Sequence, residues 1–137
     1  MRIEPYLNLD GRCDEAIAFY TQALGARTER LMRFSDSPDP LPPGMVPPGM
    51  EQKVMHASLR IGDTALMLSD GSCRGQADVR GITLSIATTD LAAAARMFAA
   101  LADGGQVQMP LDKTFWSPAF GMVQDRFGVS WMINGEA

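Results

Sequence analysis

An α+β fold built from two tandem βαβββ modules is what this sequence predicts, and three observations predict it. Apolar residues switch between the two-residue period of strands and the 3.6-residue period of helices in the order strand, helix, three strands, then the same again. That order is carried by a weak internal repeat at an offset of about 77 residues, in which Leu7, Leu9, Ile17, Tyr20 and Leu24 meet Leu84, Ile86, Ala94, Met97 and Leu101. The length of 137 residues is that of one domain with a real core. The expectation is therefore a single domain over residues 1–137, with module one at about 1–72 and module two at about 80–137.

Each element has a local reason. Pro5 to Leu9 alternates like a short strand, and Asp10-Gly11 ends it. Asp14 is placed to cap a helix whose apolar stripe is Ala16, Phe19, Tyr20, Ala23 and Leu24, with Gly25 at its C-terminal cap. A second strand covers residues 27–33. Residues 35–50 hold six of the nine prolines, a density that no helix or central strand survives. A loop of that length reads as a lid or dimer-contacting segment, with a polyproline docking motif as the alternative. Residues 53–61 and 64–70 flank the turn pair Gly62-Asp63 and form a hairpin. A polar connector covers 71–81. The second module follows with a strand at 83–87 and a helix capped by Asp90, whose stripe is Ala94, Met97, Phe98 and Leu101. Gly104-Gly105 stops that helix. A short strand at 107–111 and a hairpin, 120–123 and 129–133 around Asp125-Arg126-Phe127-Gly128, complete the chain.

Composition narrows the function classes. Twelve basic and sixteen acidic residues give a net charge of −4 with no basic cluster, which argues against nucleic acid. No apolar run approaches the ~20 residues that span a bilayer, and no charged-then-apolar leader opens the chain, so a cytoplasmic protein without a membrane partner is expected. Cys13 and Cys73 form no CxxC pair and read as two reduced thiols. His56 is the sole histidine, which excludes multi-histidine metal sites.

The segments PYLNLDGRCDEAIAFYTQALGA, VMHASLRIGDTALMLSD and GGQVQMPLDKTFWSPAFGMVQDRFGVSWMIN, with the Pro-rich loop between the first two, resemble the PhnB-like branch of the vicinal oxygen chelate superfamily. That superfamily includes glyoxalase I, extradiol dioxygenases, and bleomycin and fosfomycin resistance proteins. The resemblance covers nearly the whole chain, and the FW…FGxxxDxFGxxW string is its most distinctive part. It implies mixed sheets curled around a small-molecule cavity, and a homodimer. It also implies metal-ligand positions which, carried over onto this chain, fall on Pro5, Met67, Ile82 and Met132. None of these is His, Glu, Gln or Asp, so no metal and no cofactor is expected. Two thioethers can hold Cu(I), but ten methionines in the chain favour packing as the role of Met67 and Met132. The methyltransferase name often attached to this branch has no support in a Gly-rich strand–turn–helix, which the sequence lacks.

Within that frame His56 is the candidate catalytic residue. A hairpin turning at Gly62-Asp63 pairs Ser58 with Met67 and His56 with Ser69, and alternation puts all four on the face that lines the implied cavity. An imidazole there can serve as a general base or ligand contact; a hydrogen-bonded histidine that supports the hairpin is the structural alternative. Ser58, Met67, Ser69 and Met132 are the other expected ligand contacts, with Trp116 and Phe120 from the loop before the last hairpin. Trp131 alternates to the helix-packing face. Asp70, Asp125 and Arg126 read as turn-stabilising residues, and Arg60 and Lys113 as solvated charges. No GxSxG elbow activates a serine. The reading is a small-molecule-binding protein of unassigned reaction. Antibiotic sequestration and a lyase or isomerase using His56 are the alternatives.

Overall fold

The computed structural model describes residues 1–71, 73 and 77–137. The connector expected at 71–81 therefore lies partly outside the described residues, at Ser72, Arg74, Gly75 and Gln76. The elements run β1 (Tyr6–Asn8), α1 (Cys13–Leu24), β2 (Arg27–Arg33), β3 (Val54–Ile61), β4 (Thr64–Ser69), β5 (Thr83–Thr88), α2 (Leu91–Ala102), β6 (Gln106–Asp112), β7 (Phe120–Gln124) and β8 (Ser130–Gly135). A 3-10 turn, Phe34–Asp36, follows β2. Two four-stranded mixed sheets result, in the orders β1-β4-β3-β2 and β5-β8-β7-β6. The chain divides into two compact units, Met1–Asp78 and Val79–Ala137. The fold class is thus α+β with tandem βαβββ modules, as the alternating periodicity predicts.

In the first unit α1 packs on β2 and β3. Cys13, Ala16, Tyr20 and Leu24 are its buried stripe. They meet a sheet face that buries Leu7, Val54, Ala57, Leu59, Leu66 and Leu68. Gly25 is left-handed at φ +66, and the last turn closes with Gly25 N–H to Thr21 O at 3.1 Å and Ala26 N–H to Tyr20 O at 3.3 Å. Asp14 is not the N-cap. Arg12 occupies that position without a capping side chain, and Asp14 sits in the first turn, where the Arg33 guanidinium grips it with two 2.9 Å hydrogen bonds. That grip holds the Asp14 carboxyl below its usual range.

The free N–H groups at the start of α1 are satisfied from a distance. Asp70, fully buried at the end of β4, accepts Gly11 N–H at 2.8 Å and Cys13 N–H at 2.9 Å on Oδ1, and Val54 N–H at 2.8 Å on Oδ2. One carboxylate thereby ties helix start, β3 and β4 together. Burial, reinforced by Asp70, pushes the Cys13 thiol far above the ordinary thiol range, and the same two causes raise Cys73. Both cysteines are free and buried, which is the setting of inert structural thiols.

In the second unit α2 packs on β5, β6, β7 and β8, burying Ala94, Phe98 and Leu101. Asp90 caps it, its Oδ1 accepting Ala93 N–H at 3.0 Å, as expected. Trp131 is buried on this side and its indole N–H donates to Asp125 Oδ2 at 2.9 Å. Asp125 Oδ1 also accepts Phe127 and Val129 N–H at 2.9 and 3.0 Å, which fixes the turn into β8. Asp70 and Asp125 are thus structural in both units, and Arg126 bonds Asp103 at the end of α2. Among the described residues no helix is long and apolar enough to cross a membrane.

Candidate functional site

The face of the first sheet opposite α1 collects the polar residues. Parallel pairing sets Tyr6 beside Met67 and Asn8 beside Ser69. Antiparallel pairing sets Met67 opposite Ser58, Ser58 opposite Arg30 and His56 opposite Met32. Tyr6, Met67, Ser58 and Arg30 therefore form one row across all four strands, and alternation places His56, Ser69 and Asn8 on the same side. Across the diagonal, the Tyr6 hydroxyl and His56 Nδ1 lie 3.0 Å apart in a hydrogen bond, with ring centroids at 5.6 Å. With its proton on Nε2 the imidazole accepts from the phenol; with its proton on Nδ1 it donates to it.

The expected His56–Ser69 pair is corrected. Regular pairing of β3 with β4 stops at Ala57 and Leu68, and the next link is Asp70 N–H to Val54 O at 2.8 Å. On the other side Met32 pairs with His56 but Arg33 with Val54. Met55 is skipped by both neighbours, so it is a bulge that swings Val54 back to the helix side. Ser69 keeps its side of the sheet but is buried, and its Oγ accepts Gly71 N–H at 2.9 Å. Arg60, expected as a solvated charge, donates instead to Glu29 Oε1 at 2.7 Å and to Asp63 O at 3.1 Å.

On the second sheet Met132 lies between Ser85 and Met122, and Met122 lies opposite Met109. Three methionines thus line one row of the face opposite α2. Phe120 is paired with Asn134 in the next row. Its ring meets Trp116 edge-on at 5.3 Å, and Trp116 meets Phe115 at 4.7 Å. Trp116 is 54% exposed and Phe115 96% exposed. Sequence reasoning missed Ser117, which pins this loop: its buried hydroxyl donates to Gly135 O at 2.6 Å, while its N–H donates to Thr114 Oγ1 at 3.1 Å. Nothing in its short polar context distinguishes it from an ordinary loop serine.

The carried-over metal positions do not make a divalent-metal site. Pro5 precedes β1, where its carbonyl accepts Met67 N–H at 3.1 Å, and Ile82 precedes β5. The residues beside Met67 and Met132 are instead Tyr6 and Ser85. Neither the phenol and thioether of the first unit nor the hydroxyl and thioether of the second supplies the imidazole or carboxylate donors a hard or borderline divalent ion needs, so neither pair fits one.

A family model described as the Glyoxalase/Bleomycin resistance protein/Dioxygenase superfamily matches residues 2–133. Protein YjdN of Escherichia coli is 37% identical over 98% of this chain and 95% of its own. The crystal structure of protein PA1353 from Pseudomonas aeruginosa is 44% identical, covers 99% of this chain and 98% of that one, and superposes with a TM-score of 0.85. A PhnB protein from Bacillus cereus shares the fold, with a TM-score of 0.80, 24% identity, and coverage of 99% and 100%.

Proposed function

Because the chain belongs to the Glyoxalase/Bleomycin resistance protein/Dioxygenase superfamily, we propose that it binds a small molecule on the face of its first sheet opposite α1, with His56 as the polar centre. The observation that carries this reading is the Tyr6–His56 hydrogen bond on a face that otherwise presents Ser58, Met67 and Ser69. Tyr6 orients the imidazole, leaving Nε2 for a ligand proton or acceptor. In the second unit, taken by itself, Trp116, Phe120 and Met132 offer apolar surface for ligand contact. The two modules act as one domain in a cytoplasmic homodimer, with the Pro-rich loop as lid or subunit contact. No divalent metal takes part, and the reaction is unassigned.

A second reading, sequestration of a flat aromatic antibiotic, is favoured by the Phe115–Trp116–Phe120 edge-to-face cluster. Both readings are tested by a thermal-shift screen of electrophilic metabolites and aromatic antibiotics. A ligand at 100 times its Kd stabilises the folded state by about 2.7 kcal/mol. The expected result is a hit whose shift is lost in His56→Ala and reduced in Tyr6→Phe, with unliganded stability nearly unchanged. A hit that stabilises both variants as it does the wild type would refute the role of His56.

A further inference from the structure

We propose that the molecule bound beside Tyr6 and His56 carries an oxyanion, a carboxylate or phosphoryl group, and that Arg30 is the residue that holds it. The inference rests on the reading of this face as a ligand site and adds the chemical class of the ligand. Its starting point is the backbone of β2. Thr28, itself exposed, pairs with Leu59, whose side chain is buried on the α1 side, yet Arg30 pairs with Ser58. Two residues of β2 thus span one of β3, and Glu29 is the extra one. Without that bulge, strict alternation would keep Arg30 on the same side of the sheet as Thr28 and Leu59, away from Ser58 and His56. The bulge turns Arg30 to the Tyr6–Met67–Ser58 row instead, and re-aiming a side chain beside a site is a recurring use of such irregularities.

The same bulge settles the local charge. Glu29 is the nearest carboxylate in sequence, and it is taken by Arg60 at 2.7 Å. Arg33, at the far end of β2, is spent on Asp14 at 2.9 Å. The Arg30 side chain makes no hydrogen bond or ion pair among the described residues. Two guanidinium groups on this face, Arg30 opposite Ser58 and Arg27 opposite Arg60, have no side-chain partner among the described residues, and of the two only Arg30 stands in the row of Tyr6 and Ser58, one step from His56. Guanidinium recognises carboxylate and phosphoryl oxygens through two parallel N–H donors, a geometry that a lone surface lysine does not offer. Ser58 lies directly opposite and His56 one diagonal step away, within reach of a long side chain and a small ligand. Together they offer a guanidinium, a hydroxyl and an imidazole to one small oxyacid.

The test follows the His56 ring signals by NMR while the isotope-labelled full chain is titrated with inorganic phosphate, acetate or neutral acetamide at constant ionic strength. Phosphate or acetate is expected to give saturable shifts at His56, and the stronger of the two identifies the phosphoryl or the carboxylate class. Arg30→Gln should weaken that binding about tenfold or more, the scale of losing a charge-assisted hydrogen bond. Arg27→Gln, on the same strand opposite Arg60, should leave it unchanged. Equal titration of wild type and Arg30→Gln by the anions would overturn the proposal. So would anions that leave His56 unmoved while neutral compounds from the thermal-shift screen perturb it; that result would keep the face as a site and reject only its anionic ligand. If no compound of either kind moves His56, both readings fall together.

Discussion

Asp70→Ala is expected to lower the free energy of unfolding by about 3–5 kcal/mol, measured by urea denaturation. Three backbone N–H groups, those of Gly11, Cys13 and Val54, converge on this carboxylate. Each buried donor left without a partner costs about 1–3 kcal/mol. The loss also uncouples the start of α1 from β3 and β4, so amide exchange at Gly11, Cys13 and Val54 should accelerate together. A change below about 1 kcal/mol would mean that water or backbone relaxation satisfies those donors, and that Asp70 is not the tie described above.

Gly105→Ala is the second large effect, at about 2–3 kcal/mol. Gly105 follows α2, its N–H bonding Ala102 O at 2.9 Å. A Cβ there would collide with the backbone carbonyl oxygen of Gln124 and sit 3.0 Å from Asp125 Cα. Both obstacles are main chain at the end of β7, next to the carboxylate that fixes the turn into β8, so neither can swing aside as a side chain would. Gly25→Ala provides the contrast. Its Cβ would meet nothing within 4 Å, and only the left-handed backbone at φ +66 opposes it, a cost of roughly 1–2 kcal/mol. Thermal or urea denaturation of the two variants separates steric from conformational requirements. Equal losses would show that the close approach at Gly105 relaxes.

Most of the fold was legible because it rests on periodicity. The stripes of both helices, the Asp90 cap, the Gly25 cap and the Gly62-Asp63 hairpin all follow from local chemistry written in adjacent residues. What escaped depends on irregular pairing or on contacts across the chain. Strict alternation cannot announce a bulge, so the extra residues Glu29 and Met55 were invisible, and with them the placement of Arg30 and the failure of His56 to pair with Ser69. Asp14 looked like a cap because it precedes an apolar stripe. The helix starts one residue earlier, at Cys13, and the N–H groups of Gly11 and Cys13 at that start are reached by Asp70, 57 residues away from Cys13. At the candidate site His56, Ser58, Met67 and Ser69 were correctly assigned to one side of the sheet from the hairpin register alone. Tyr6, the partner that gives His56 a defined orientation, was missed because it lies on a different strand, and parallel pairing of β1 with β4 brings it there.

The central claim is that a superfamily fold without a divalent-metal donor set binds a small molecule at Tyr6 and His56. Chemical-shift mapping of the first confirmed hit from the thermal-shift screen, with and without excess chelator, tests it most directly. The account predicts the same Kd in both conditions, with the largest perturbations at Tyr6, His56, Ser58 and Met67. Binding that disappears with chelator, or shifts that leave these four residues untouched, would contradict it.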